Sequence, residues 1–293
     1  MKKLSILLLA ILSLSIVNCK KDNSDNSSDD NSEEEEVVET KPVPVTITEN
    51  NNSNRALNFV NLDLIIKQIT GEQSKNPATT SITANYEYDG RHYVKITKNT
   101  GSDVLVKEYY YADKDNGILD SIVYKKNAQF TSVDRFEVSN GHIQQITNFD
   151  ENNQVQYQHT FSNYVDDKPQ QISIYAMTVA GALNLSGTLT YNGNDLTGML
   201  TSGTWGSDSA TLNITYSYDT KNNVFFNVET LEWPTSDDHN IISMTNQMII
   251  SGVNYPKTTT YTYTYNSDDF PITSTYTATD SSSGSSEFVY EDK

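Results

Sequence analysis

The run Ala210-Thr211-Leu212-Asn213-Ile214-Thr215-Tyr216-Ser217-Tyr218-Asp219 places an apolar or aromatic residue at every second position, with Thr, Asn, Thr and Ser between. A period of two means one face buried and one face wetted, the pattern of an antiparallel strand. The same alternation recurs on both sides. Ile82, Ala84, Tyr86 and Tyr88 carry it upstream, and Val155, Tyr157, His159 and Phe161 follow. Leu183, Leu185, Gly187, Leu189 and Tyr191 repeat it, and Tyr261, Tyr263 and Tyr265 alternate with threonines. Parallel strands would read as continuous apolar runs joined by crossover helices, and no series of such helices is present. At the edge of this region, Leu62, Ile65, Ile66 and Ile69 have helical spacing, yet Leu62 to Thr70 is Ile-rich enough to be a first strand.

Turn residues punctuate the runs. Asp115-Asn116-Gly117, Asn140-Gly141, Asn192-Gly193-Asn194, Lys221-Asn222-Asn223 and Ser267-Asp268-Asp269 stand at their ends, and such residues tolerate the positive φ of tight hairpins. An aromatic residue closes a strand just before a turn at Tyr88, Tyr111, Phe136, Phe161, Tyr191, Tyr218, Tyr265 and Tyr290. The spacing stays close to one hairpin of two strands and two turns. The longest step, Tyr218 to Tyr265, holds an excursion through Trp233-Pro234 and Tyr255-Pro256. A unit repeated in this way cannot bury its own face and must stack on its neighbours.

The 293 residues carry 20 basic and 38 acidic side chains, a net charge of −18, with one cysteine and 19 tyrosines. A single cysteine excludes an intramolecular disulfide framework and a cysteine-only metal site. The acidity excludes nucleic acid as a partner, since that binding rests on cationic side chains releasing counterions.

The amino terminus reads as a secretion signal. Lys2 and Lys3 precede an apolar and serine core from Leu4 to Val17, too short to span a bilayer but suited to an h-region. The segment Ile16-Val17-Asn18-Cys19 resembles the lipobox of bacterial lipoproteins, with Asn18 in place of the usual Gly, Ala or Ser. That resemblance implies cleavage of residues 1–18, lipid on Cys19, and, because Lys20 rather than aspartate follows, an outer-membrane address. The acidic run Asp22 to Glu36 looks like a short surface-export signal and equally like a solvated tether, so the anchored chain faces either the cell surface or the periplasm. From Lys20 to Asn54 there are ten acidic and three basic residues, too polar to order by burial, so residues 19–54 are expected to be a disordered tether. A single all-β domain is expected over residues 55–293, itself carrying a charge of −13.

Tyr86-Glu87-Tyr88-Asp89-Gly90-Arg91 resembles the Tyr-Asp (YD, RHS-type) repeat, in which a tyrosine-rich strand enters an Asp/Asn/Gly turn and an apolar strand returns. Thr215 to Asp219 and Thr262 to Asn266 repeat its first half, while Phe136-Glu137-Val138-Ser139-Asn140-Gly141 lacks both Tyr and Asp. With the lipobox, the chain is similar over residues 62–292 to YD-like outer-membrane lipoproteins of unknown function. The units are too few to wrap a cargo. About fifteen strands cannot remain one flat sheet. The expected fold is an all-β antiparallel meander of repeated hairpins, curled into a wide barrel, half-barrel or sandwich with the tyrosines inside.

Little in the sequence carries chemistry. His92, His142, His159 and His239 form no pair with metal-ligand spacing, and His159 on an apolar face reads as a core or rim imidazole. Asp237-Asp238-His239 is the one cluster with both carboxylates and an imidazole, and reads as a solvated loop. Asp166-Asp167 and Asp268-Asp269 read as turns, not as calcium loops. No nucleophile elbow or phosphate-cradling loop is present. Asp120-Ser121-Ile122 and Asp208-Ser209-Ala210 match a pattern that some bacteria glycosylate, making Ser121 and Ser209 candidate modification sites. No catalytic residue, metal or cofactor is assigned. The expectation is a non-catalytic envelope protein, held to the membrane through Cys19, that binds or scaffolds a glycan, protein or lipid. The alternatives are a carrier of a hydrophobic ligand in an apolar concavity and a glycan-acting enzyme built on a folded carboxylate pair. The clean Thr/Ser/Asn outer face argues against an aromatic platform there.

Overall fold

The computed structural model describes residues 41–51, 80–178, 181–230, 232–234 and 237–292. The signal, Cys19 and the strand expected over Leu62–Thr70 lie outside them. Sixteen strands follow one another: β1 (Pro42–Asn51), β2 (Thr80–Asp89), β3 (His92–Thr100), β4 (Asp103–Asp113), β5 (Ile118–Lys126), β6 (Gln129–Ser139), β7 (His142–Asp150) and β8 (Val155–Val165). They continue as β9 (Lys168–Thr178), β10 (Gly181–Asn192), β11 (Asp195–Trp205), β12 (Asp208–Asn222), β13 (His239–Ile250), β14 (Val253–Tyr265), β15 (Pro271–Ala278) and β16 (Ser283–Asp292). Each pairs antiparallel with its neighbour in sequence, and β1 also pairs with β16, so the sheet is a closed barrel. Of the expected shapes, the barrel is the one adopted.

The alternation assigns the two faces as expected. Ile82, Ala84, Leu183, Leu185, Leu189, Leu212 and Ile214 are buried inside. The residues between them, such as Asn184, Ser186, Thr262 and Thr264, stand outside and are exposed. Positive φ at Asn140 and Gly141 forms a tight hairpin turn that the sequence called for, and Ser251 and Gly252 form another that it did not single out.

One boundary differs. Residues 42–51, expected at the end of the tether, form β1, with Ile47 opposite Phe288 on one side and Ala84 on the other. Val43 and Ile47 are buried in the core. Val43, Val45 and Ile47 alternate with Pro44 and Thr46, a strand pattern that the acidic composition of the surrounding segment concealed. Those few apolar groups order because partner strands wait on both sides.

The hairpins repeat a feature that the sequence hides. Seven odd-numbered strands carry one extra residue near their start, opposite a single step of the preceding even strand: Val45, Val94, Asp120, Gln144, Thr197, Ile242 and Ile272. These are β-bulges, which bend a strand and raise its twist. At six of them a tyrosine from the following even strand donates its hydroxyl to the carbonyl just before the bulge. Tyr88 reaches Pro44 at 2.7 Å, Tyr111 reaches Tyr93 at 2.7 Å, and Tyr164 reaches Ile143. Tyr218 reaches Leu196 at 2.6 Å, Tyr263 reaches Ile241 at 3.0 Å, and Tyr290 reaches Pro271 at 2.9 Å. The seventh bulge, at Asp120, precedes a strand with Phe136 and Val138 in the corresponding place, which have no hydroxyl. Tyr191 follows β9, where no register shift falls, and its buried hydroxyl has no partner. In two units the latching ring is not the strand-closing aromatic of the sequence reading: Tyr164 serves in place of Phe161, and Tyr263 in place of Tyr265.

The latch carries a stability prediction. Tyr263→Phe leaves the Ile241 carbonyl without its donor and should cost about 1–3 kcal/mol. Tyr263→Ala also removes a half-buried ring and should cost about 3 kcal/mol or more. Thr262→Ala, on the wet side, should stay within about 0.5 kcal/mol. Denaturant midpoints compare the three, and equal shifts in all of them would reject the inward assignment. A second prediction concerns β1. A chain beginning at Lys41 should unfold cooperatively, whereas one beginning at Asn52 exposes the edges of β2 and β16 and should aggregate or lose its cooperative transition. Unchanged melting of the shorter chain would show that β1 does not close the barrel.

Candidate functional site

The interior is the first place to look. A barrel of sixteen strands, when round, encloses more space than wall side chains fill. Here the connection between β12 and β13, described at residues 223–230, 232–234 and 237–238, turns into that space at the end where Asn140-Gly141 and Asn192-Gly193 also lie. Val224 and Val228 join one apolar core with Ile47, Tyr93, Ile96, Leu119 and Ile122. Trp233 joins a second core with Tyr157, Phe161, Leu185, Leu212 and Met244. Trp233 meets the Phe161 ring edge-on at 4.5 Å and the His159 ring at 5.2 Å. The excursion thus has a foot in each core.

Polar groups fix it in place. The Thr230 hydroxyl accepts from the Tyr93 amide at 2.8 Å and meets the Tyr111 hydroxyl at 2.7 Å. Glu232, 3% exposed, accepts from the Tyr109 hydroxyl and from Lys107 Nζ at 3.0 Å. Burial pulls the Lys107 ammonium below its ordinary value against the attraction of Glu232. The Glu229 amide donates to the Arg91 carbonyl at 3.0 Å, and the Glu229 carboxylate pairs with the Arg91 guanidinium and lies 3.3 Å from His92 Nε2. Gly117 lies so close that a Cβ there would stand 2.1 Å from the Glu229 carbonyl oxygen, and its φ is +67°. Glycine is the residue that permits both.

The acidic cluster of the excursion is not a solvated loop. Asp237 is buried and accepts from the Leu196 amide at 2.8 Å. Burial raises its carboxyl well above the ordinary range, and Tyr218 acts against that rise. Asp238 accepts from Asn194 at 3.0 Å, while His239 Nδ1 lies 2.7 Å from Asp195 Oδ2. The three side chains bond the consecutive residues Asn194, Asp195 and Leu196, tying the end of the excursion and the start of β13 to the start of β11. Among the described residues, no three metal-ligating side chains gather at one point. A further buried carboxyl, Asp134, accepts from Tyr124 at 2.6 Å, Tyr157 at 2.6 Å and Asn148 at 2.7 Å. Desolvation raises its carboxyl above the ordinary value despite those three donors. These inward acids each accept hydrogen bonds from structural donors.

His159 is a core imidazole, as its strand position implied. Burial lowers it from 6.5 to about 4. Its folded value lies below the unfolded one, so its contribution is complete above about pH 6.5 and is lost as pH falls toward 4. The buried carboxyls Asp134 and Asp237 act in the opposite sense. His159→Phe should therefore have little effect on stability at pH 7.5 and should be more stable than the parent at pH 4.5. Parallel pH profiles for the two proteins would reject the assignment.

Two open concavities lie on the outer wall. Two rows of outward side chains run in register across β6 to β11. One is Arg135, Thr147, Gln158, Tyr175, Asn184 and Thr204. The other, two residues along each strand, is Glu137, Gln145, Thr160, Ser173, Ser186 and Ser202. Gln145 donates to Glu137 at 3.0 Å and to Thr147 at 3.1 Å, and Gln158 donates to Thr147 at 3.2 Å. The Ser173 and Ser186 hydroxyls meet at 2.9 Å. A concavity of about 350 Å³ lies over the β8–β11 part of the rows, and one of about 890 Å³ over β5–β8, with Gln158 in the lining of both. Gly203 lines the smaller one, and a Cβ there would stand 1.9 Å from the Asn184 carbonyl oxygen, so the two strands approach too closely for any side chain.

Beside the polar rows the outer face turns apolar. Val123, Val133, Phe149 and Val155 pair across β5 to β8 in the larger concavity. Phe130 stands next to them, 41% exposed, and Arg135 lies over the Phe149 ring at 5.7 Å. The expected absence of aromatic groups from the outer wall thus fails at this place. A register shift between Asn148 and Phe149 puts Val155 opposite outward Phe149, while Tyr157 and Phe161 point inward and are buried. Simple alternation had placed all three on one face. Of the candidate modification sites, Ser121 lines the larger concavity, with its hydroxyl on Asp120 at 2.9 Å, and Ser209 is exposed opposite Thr204.

Comparison of the sequence with family models and with curated proteins gives no match. Among solved structures, the chain is similar to a porin-like protein from Bacteroides uniformis, with a TM-score of 0.49 and 11% identity over 85% of this chain and 96% of that one. It is also similar to a porin-like protein from Bacteroides vulgatus, with a TM-score of 0.42 and 14% identity over 71% of this chain and 94% of that one. The barrel assignment rests on this chain's own strand pairing. Its wall is apolar within and largely Thr, Ser, Asn and Gln without. A membrane-spanning barrel needs the reverse, an outward apolar band about 25 Å tall.

Proposed function

We propose that this chain is a non-catalytic protein of the bacterial cell envelope, anchored to the outer membrane by lipid on Cys19, whose barrel binds or scaffolds through its outer wall. One observation carries the reading: among the described residues the β12–β13 excursion enters the interior at one end and packs into both cores, while two open concavities lie on the outer wall. A carrier would keep its apolar space for a ligand, yet Trp233, Val224 and Val228 take that space at the excursion's end of the barrel. An enzyme would present its unusual acids to a substrate, yet Asp134, Glu232 and Asp237 each serve a buried contact. The kinship with YD-like lipoproteins belongs to the same proposal, supported by the recurrence of the tyrosine latch in successive hairpins.

The anchor is tested in cells. Cys19→Ser should move the protein from the membrane fraction to a soluble one, or leave an uncleaved precursor. Detergent-dependent membrane association unaltered by the substitution would overturn it.

A further inference from the structure

We propose that the outer groove across β5 to β11 binds a neutral glycan chain. This rests on the outer-wall reading above and adds the class of ligand. The groove has two kinds of floor, side by side. Beyond Arg135 and Glu137 at their β6 end, the paired rows hold hydroxyl and amide side chains that both donate and accept, matching a ligand whose surface is itself covered with hydroxyls. The apolar row with Phe130 and Phe149 supplies flat, partly exposed surface against which the C–H face of a sugar ring can lose its water. A concave site with apolar surface and convergent planar polar groups is the usual form of a small-molecule or oligomer site.

Length and charge narrow the occupant. Six neighbouring strands at about 4.8 Å spacing extend the rows over roughly 24 Å, room for a chain of several units rather than one small molecule. The lining of the smaller concavity has no charged side chain. The larger one carries Asp120, Glu137, Asp150 and Glu151 against Arg135, which repels a polyanion. A peptide has no ready route onto this wall, because strand addition needs a free edge and the closed barrel has none at these strands. Gln158 sits where the two concavities join, paired with Tyr175 across β8 and β9. A chain lying along the rows therefore crosses that pair.

The test uses the mature chain in detergent and four soluble neutral polysaccharides: dextran, mannan, a mixed-linkage β-glucan and xyloglucan. Decalysine and dextran sulfate serve as cationic and anionic probes. Affinity electrophoresis should show saturable retardation by at least one neutral polysaccharide. The affinity should fall at least tenfold in Phe130→Ala and in Gln158→Ala/Tyr175→Ala, with melting midpoints unchanged. Thr262→Ala, on the wall at β14, should bind as the parent does. Retardation by none of the four, or retardation that survives both groove variants, overturns the glycan assignment. Decalysine binding lost in those variants, with no polysaccharide bound, overturns the glycan but keeps the outer wall as the binding face. Failure of every probe to show groove-dependent binding overturns both.

Discussion

A backbone carbonyl displaced by a bulge, and the tyrosine hydroxyl that bonds it, set the geometry of this barrel. A bulge bends its strand but takes polar backbone groups out of the ladder, and a buried carbonyl left unpaired is costly. The donor comes from the next even strand, at Tyr88, Tyr111, Tyr164, Tyr218, Tyr263 and Tyr290. Tyrosine suits this place because its ring adds apolar packing while its hydroxyl reaches past the ring to the backbone. Phenylalanine packs equally well and cannot complete the bond. The richness of the chain in tyrosine over phenylalanine has a structural cause in this repeat.

The latches stand near one mouth, and the excursion from β12 enters at that same mouth. Thr230 shares the Tyr111 hydroxyl with the Tyr93 carbonyl, so excursion and latch compete for, and are joined by, one group. Acids are tolerated in this interior where several donors converge. Asp134 accepts from two tyrosine hydroxyls and Glu232 from one, with Lys107 beside Glu232. The excursion occupies the interior at its own end of the barrel, where its side chains join both apolar cores.

Even strands such as β2 and β12 were open to reading from sequence because they alternate without interruption from Ile82 to Tyr88 and from Ala210 to Tyr218, whereas β6 and β8 carry an extra residue, Thr131 and Gln156, that breaks the phase. The odd strands were harder. A bulge shifts their phase, so the inward residues stand three apart: Tyr93 and Ile96, Leu119 and Ile122, Ile143 and Ile146, Leu196 and Met199, Ile241 and Met244. Spacing by three reads as noise or as a helical turn unless it recurs just after each turn, and that recurrence was the available signal. β1 was missed because composition dominated a short pattern whose partners lie at the far end of the chain. The outer groove could not be found by inspection of any one strand. Thr147, Gln158, Tyr175 and Asn184 are unremarkable polar residues until the register lays them side by side.

The pairing of Pro42 with Asp292 gives the chain a particular history of assembly. Hairpins β2–β3 through β15–β16 can form as soon as their own residues are present, since each needs only a near neighbour. The ring can shut only when the final strand has been delivered, and that contact spans nearly the whole domain. Until then the growing sheet has two raw ends, and every further hairpin merely moves one of them along. Contacts so distant in sequence form late and slowly. The interval between arrival of the first strand and arrival of the last is the period in which the chain can be captured by a chaperone, cut by a protease or paired with another copy.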